Sequence, residues 1–145
     1  IFTSEIKVIS LIFIDIDHFK PINDQFGHNI GDEILKEFVK LISENCRSTD
    51  FLARWGGEEF LLICPNTKVN EACELAESLR LLMSEYHWIK DIKLTSSFGV
   101  AQRNNESIDK TIERADKALY AAKARGRNKV VTSSTTDDID SSITF

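Results

Sequence analysis

The sequence predicts an α/β (α+β) sandwich on a mixed sheet, and three observations predict it. Stretches rich in β-branched and aromatic residues alternate with stretches of helical apolar spacing along the 145 residues. The first strand stretch is hydrophobic almost without a break, which predicts burial on both faces and a central position. Two later strand stretches meet across Gly56-Gly57, a hairpin signal that adds antiparallel pairing.

Taken in order, residues 8–16 read as the central strand, which stops at two aspartates. Residues 18–26 predict a short helix, with Asp17 as its expected cap and Pro21 tolerated in the first turn. Gly27 and Gly31 are expected to flank a turn, after which Asp32 opens a longer helix. Ile34, Leu35, Phe38, Val39, Leu41 and Ile42 supply the apolar face of that helix. Residues 51–55 and 60–64 are the hairpin strands. Residues 69–86 form a helix with Ala72, Leu75, Ala76, Leu79 and Leu82 at helical spacing. Residues 94–101 are a strand, residues 107–124 a helix stopped by Gly126, and residues 129–132 a last short strand. The stretch 133–145, rich in Ser, Thr and Asp, is expected to be disordered. Residues 1–132 therefore make one domain.

Composition bounds the function. A hydrophobic fraction of 42% fills a core without disulfides, and a net charge of −5 gives no basic field for DNA, RNA or a membrane surface. A chain of this charge binds a polyphosphate only with a metal and a few local cations. Cys46, Cys64 and Cys73 lack metal-ligand spacing and read as buried free thiols of a reducing compartment. The longest apolar run is too short to span a bilayer and no secretory leader is visible, so a cytoplasmic location is expected.

Two acidic clusters carry the chemistry. Asp15 and Asp17 close the central strand, and strand ends are where α/β sheets hold ligands. Glu58 and Glu59 follow the Gly-Gly turn, whose missing side chains leave room for a close ligand. If the hairpin lies beside the first strand, Glu58 approaches Asp15, and oxygen ligands of that kind suit Mg²⁺. Each piece also has a plain structural role: Asp17 as a cap, Glu59 as a solvated strand residue. A strand ending in Asp-x-Asp also opens the haloacid-dehalogenase phosphotransferases, but that pattern wants Thr or Val where this chain has Phe19.

The segment Arg54-Trp-Gly-Gly-Glu-Glu-Phe60 resembles the motif for which GGDEF domains are named, in its GGEEF form. The block from Asp15 to Asp32 and the block from Arg114 to Asn128 are similar to the first and last blocks of that family, in the same order. The resemblance implies a fold like the catalytic domain of class III nucleotide cyclases, a central sheet of about five strands wrapped by helices. It implies a diguanylate cyclase that condenses two GTP into cyclic di-GMP and two pyrophosphates at a homodimer interface. Asp15, the Ile16 carbonyl and Glu58 would hold Mg²⁺ or Mn²⁺, about two ions per site with GTP, and Glu59 would support them. Glu58 would also be the candidate to accept the 3′-hydroxyl proton, and Lys20 would stabilise phosphate charge. Asn23 and Asp32 would read guanine, with His28 as a further substrate contact, and Lys123 and Arg127 would grip the terminal phosphates.

Arg47-Ser-Thr-Asp50 ends five residues before Gly56 and resembles the family's inhibitory site for cyclic di-GMP, although by composition it is an ordinary polar turn. Some members carry a further arginine on the next helix. Counting from the GGEEF motif places Ser78 there, with Arg80 two residues on, so weaker product inhibition is expected. Family members usually carry a helix and turn before the first strand, whereas Ile1 to Lys7 alone precede it here, so either a trimmed fragment or a diverged start is expected. That segment often links to an upstream sensory domain, and binding is expected to survive its loss better than turnover. The alternative function is a silent GGDEF-like module that binds cyclic di-GMP or GTP. The full set of polar residues disfavours both that module and a structural domain. The bare domain is expected to pair only transiently.

Overall fold

The computed structural model describes residues 8–133. The elements run β1 (Ile9–Ile16), α1 (Phe19–Phe26), α2 (His28–Asn45), β2 (Phe51–Arg54), β3 (Glu59–Pro65), α3 (Val69–Glu85), β4 (Ser96–Gln102), α4 (Ile108–Ala124) and β5 (Val130–Ser133). They form one five-stranded sheet in the order β2-β3-β1-β4-β5. The pairs β2/β3, β1/β3 and β1/β4 are antiparallel, and β4/β5 is parallel. The sheet is mixed and β1 lies at its centre, as the unbroken hydrophobic run requires.

The two faces of β1 feed separate cores. Ile12, Ile14 and Ile16 pack with Phe38, Ile42, Phe60, Leu79 and Trp88 beneath α2 and α3. Leu11 and Phe13 pack with Leu61, Ala101, Ala115 and Leu119 beneath α4. Helix α4 lies on the sheet so closely that a Cβ on Gly99 would stand 2.2 Å from the Ala115 carbonyl oxygen and 2.3 Å from the Leu119 nitrogen. Glycine at 99 sets that approach, and with it the position of every α4 side chain over β1.

Three expectations need correction. Helix α2 begins at His28, not at Asp32, and Gly31 sits inside it. The break between α1 and α2 is made by Gly27 alone, at φ 92, a value that glycine adopts without strain. Asp17 does not cap α1. His18 holds the cap position at φ 56 with no side-chain cap bond, and the Asp17 carboxylate is turned inward. Strand β4 begins at Ser96, two residues later than its apolar run implied, because its partner β1 ends at Ile16, which pairs with Ser96; a single 3₁₀ turn, Ile89–Asp91, lies further upstream. Residue 133 belongs to β5, and the rest of the expected disordered tail lies outside the described residues. Cys64 is buried and Cys46 and Cys73 are half-buried, all three free. Burial, then the nearby Asp50 charge, push the Cys64 thiol pKa up, so it is a packing residue and not a nucleophile.

Candidate active site

The β1/β3 register brings the two acidic clusters together. Asp15 stands opposite Glu59, and the Ile16 N–H donates to the Glu58 carbonyl at 3.3 Å. The Gly-Gly turn between β2 and β3 is tied off by the Trp55 and Gly56 N–H groups, which donate to the Glu59 carbonyl at 2.8 and 3.1 Å. Arg54 adds a second tie, its Nε and Nη2 donating to the Gly56 and Gly57 carbonyls at 3.1 and 2.6 Å. A turn held this way keeps Glu58 beside the end of β1.

Asp15, Ile16, Lys20, Glu58, Lys123 and Arg127 line one polar cleft of about 250 Å³. Lys20, Asn23, His28, Asp32, Arg54, Gly57 and Glu58 line an adjoining groove of about 410 Å³. Lys20 and Glu58 line both and form the boundary between them. Lys123 reaches down from α4 and pairs with Asp15. Lys20 is exposed and sits 3.4 Å from Asp24. Asn23 is pressed against Gly31, where an added Cβ would fall 1.8 Å from its Oδ1, so the glycine in α2 makes space for that side chain.

The electrostatics suit a cation. Asp15 is buried, and its Oδ1 has no hydrogen-bond partner. Burial raises its pKa from 3.8 to about 6; Lys123 pulls it down, and Glu58 and Glu59 push it up again. A buried carboxylate with one oxygen unpartnered and two acidic neighbours could contribute ligands to a hard divalent ion. Among the described residues no three acidic, histidine or cysteine side chains close on one point, so the remaining ligands would be backbone oxygen, phosphate and water.

The RxxD turn lines neither cavity. The Arg47 N–H donates to Asp50 Oδ2 at 2.8 Å, while its guanidinium reaches Glu71 at 3.5 Å and Thr67 at 3.4 Å. The Arg80 guanidinium is engaged by Glu77 and Asn128. Arg54 was not among the expected site residues, although it opens the quoted GGEEF segment; its spacing from the acids in sequence carried no sign that it would reach back over the turn.

The profile of the family described as "Diguanylate cyclase, GGDEF domain" matches residues 3–129. The chain belongs to this family. Over 123 residues, 84% of the chain, the GGDEF domain is 44% identical to diguanylate cyclase DgcM of Escherichia coli strain K12. It is 42% identical over 130 residues to the response regulator PleD of Caulobacter vibrioides. It spans only about 30% of the length of either protein. Among solved structures, the active GGEEF domain of a diguanylate cyclase from Vibrio cholerae superposes with a TM-score of 0.87 at 36% identity, covering 92% of this chain and 88% of that one. The GGDEF domain of DgcB from Caulobacter crescentus, solved in complex with c-di-GMP, superposes with a TM-score of 0.81 at 34% identity, covering 90% and 87%. No helix among the described residues is long and apolar enough to cross a membrane.

Proposed function

We propose that this GGDEF domain is an active diguanylate cyclase that joins two GTP molecules into cyclic di-GMP with release of two pyrophosphates. One observation carries the reading: the cleft of Asp15, Glu58, Lys123 and Arg127 shares Lys20 and Glu58 with the groove of Asn23, His28 and Asp32. A nucleoside triphosphate needs that pair of surfaces, one charged for phosphate and one polar for the base. In the groove, Asp32 would accept from the N1–H and N2–H of guanine, an edge that adenine lacks, and Asn23 would complete the contact. Leaving either partner unpaired costs about 1–3 kcal/mol, enough to prefer GTP over ATP about tenfold or more, which also argues against a mixed product with AMP.

In the cleft, Asp15, Glu58 and the Ile16 carbonyl would hold Mg²⁺ or Mn²⁺, supported by Glu59. The ion would neutralise phosphate charge and polarise the reacting phosphoryl group. Lys20 lines both surfaces and would stabilise the charge that develops as the α-phosphate is attacked. Lys123 and Arg127 would grip the terminal phosphates and stabilise the departing pyrophosphate. Glu58 would accept the proton of the attacking 3′-hydroxyl. Each chain offers one such constellation, and the product has two-fold symmetry. Two chains must therefore meet face to face, each with one GTP, and a C2 pair is the simplest way. Arg47 and Asp50 would bind cyclic di-GMP as an inhibitory site, weakly because Ser78 cannot contribute a cation and Arg80 is engaged elsewhere.

Incubation of the purified chain with GTP and Mg²⁺ at high protein concentration, with chromatography of the products, tests the reading. Cyclic di-GMP is expected, with its formation abolished in Asp15→Asn. Tight cyclic di-GMP binding with no synthesis would establish the binding-module alternative. An unchanged product inhibition constant in Arg47→Ala would remove the inhibitory site.

A further inference from the structure

Asp17 closes β1 two residues beyond Asp15, and its carboxylate is almost wholly buried, at 4% exposure. It has three partners, all neutral donors. Its Oδ1 accepts from the Ser97 hydroxyl at 2.7 Å, and its Oδ2 accepts from the Thr95 hydroxyl at 2.7 Å and from the Asn128 N–H at 3.0 Å. Two of these partners, Thr95 and Ser97, flank Ser96, the first residue of β4, but the third lies in the connection between α4 and β5.

That connection has an unfavourable backbone. Helix α4 ends with the Gly126 N–H on the Lys123 carbonyl at 3.3 Å and the Arg127 N–H on the Ala122 carbonyl at 3.0 Å. Gly126 at φ 115 is the usual residue for such an end, but Arg127 at φ 64 and Asn128 at φ 50 follow it in the left-handed region. Two successive non-glycine residues there are uncommon, and contacts with their surroundings help to keep them there. A second grip is present. The Nη1 of Arg80 on α3 donates to the Asn128 Oδ1 at 3.0 Å and approaches its carbonyl at 3.5 Å. The guanidinium of Arg80 is itself fixed by Glu77, at 2.9 Å from Nε and 2.6 Å from Nη2. Asn128 is therefore held at its N–H by Asp17, just past the end of β1, and at its side chain from α3.

Arg127, between the glycine and the clamped asparagine, is exposed and lines the cleft of Asp15 and Glu58. We propose that Asp17, Asn128 and Arg80 form a clamp that holds residues 126–128 in their left-handed course and so aims Arg127 into the cleft, making them positioning residues for the triphosphate. The inference rests on the reading that this cleft takes the phosphates of GTP. Freed from the clamp, the segment would relax to a common backbone conformation and carry Arg127 away. The base groove, built from α1, α2 and the Gly-Gly turn, would be untouched. Phosphate-dependent affinity should then fall while base-dependent affinity stays.

Arg80→Ala is the variant of choice, because Arg80 lines neither cavity and its loss removes no core side chain. A GTP analogue bridged by α,β-methylene and GMP are each titrated against the wild-type chain, Arg80→Ala, Arg127→Ala and the double variant. Amide exchange at Arg127 and Asn128 is followed by NMR without nucleotide. Arg80→Ala should weaken the analogue roughly three- to tenfold and leave GMP within about twofold. It should add nothing in the Arg127→Ala background, and it should speed exchange of the Asn128 amide. Asp17→Asn, which loses one acceptor atom, should likewise speed exchange of the Asn128 amide, the readout kept for this variant because Asp17 itself lines the cleft. An unchanged analogue-to-GMP ratio, additive losses in the double variant, or undisturbed exchange would each overturn the clamp. If the wild-type chain binds neither nucleotide, the GTP reading fails and the triphosphate role falls with it, while the exchange result still decides whether the clamp holds the loop.

Discussion

Burial lifts the pKa of Asp15 from 3.8 to about 6, against the pull of Lys123, so ionising this group costs folding free energy. For a carboxyl whose folded pKa is raised, the penalty is absent below the unfolded value and complete above the folded one. Asp15→Asn should therefore stabilise the chain by about 1–3 kcal/mol at pH 7–8, with the gain fading to nothing near pH 4. Denaturant unfolding of both chains across that range measures it; a gain that is constant with pH would contradict the cause assigned here. A site that is more stable without its acid is one that gives up stability for binding. Gly31 makes a related point. Gly31→Ala gains helix propensity of up to about 1 kcal/mol but pushes the Asn23 amide out of its place. The melting temperature should change by only a few degrees while affinity for guanine nucleotides falls, as calorimetry on the two chains would show. Gly31 also shows why the start of α2 was not legible in the sequence. Gly31-Asp32 has the composition of a turn followed by a cap, yet the glycine serves a side-chain contact that no local pattern encodes. Asp17 was misread for the same reason: an aspartate before a helix is a cap by local rules, and its true partners, Thr95, Ser97 and Asn128, are brought to it only by the sheet.

At the scale of the element, α4 carries the heaviest demands. Gly99 lets its backbone touch β4, and Arg114 anchors its underside. The Arg114 side chain is 1% exposed and bonds Glu106, the Gln102 carbonyl and Ser133. The guanidinium in turn holds the Glu106 carboxyl below its usual range. Glu106→Gln leaves a buried cation without its counter-charge and should cost about 3 kcal/mol, the loss read as a lower denaturation midpoint. The contribution of Glu106 should disappear as pH falls through its lowered folded pKa, so wild-type and variant converge in acid. Gly99→Ala should cost about 3 kcal/mol or more, since the obstructing atoms are backbone and cannot step aside. Both changes shift α4 over β1, and with it Lys123 over Asp15. The helix itself was legible over residues 107–124 with its Gly126 stop; the structure makes Ser107 its cap, the Oγ accepting from the Lys110 N–H at 3.1 Å, and begins the helix at Ile108. Its closeness to the sheet was not, because a glycine inside a strand announces a near neighbour without naming it.

At the scale of the whole molecule, a cyclase of the kind proposed would take its kinetics from having one cleft per chain. A single chain holds one set of Asp15, Glu58 and Lys123, whereas a cyclic dinucleotide needs two bonds made in opposite directions. Among the described residues the exposed large apolar side chains Val39, Phe51, Trp55, Leu81, Ile89, Ile108 and Tyr120 are distributed so that no single element carries more than two of them. Pairing of the isolated domain should therefore be weak, and below the pairing constant the number of productive pairs grows with the square of chain concentration. Turnover per chain should rise in proportion to concentration and level off only when pairs dominate. Fusion to a parallel two-stranded coiled coil raises the effective concentration of one cleft near the other and should make turnover per chain high and constant in dilute solution. Initial rates of cyclic di-GMP formation over a hundredfold range of concentration, for the bare and the fused chain, measure both effects. A bare chain that sediments as a monomer yet shows constant turnover per chain would mean that one cleft completes both bonds, and the two-chain mechanism would have to be abandoned.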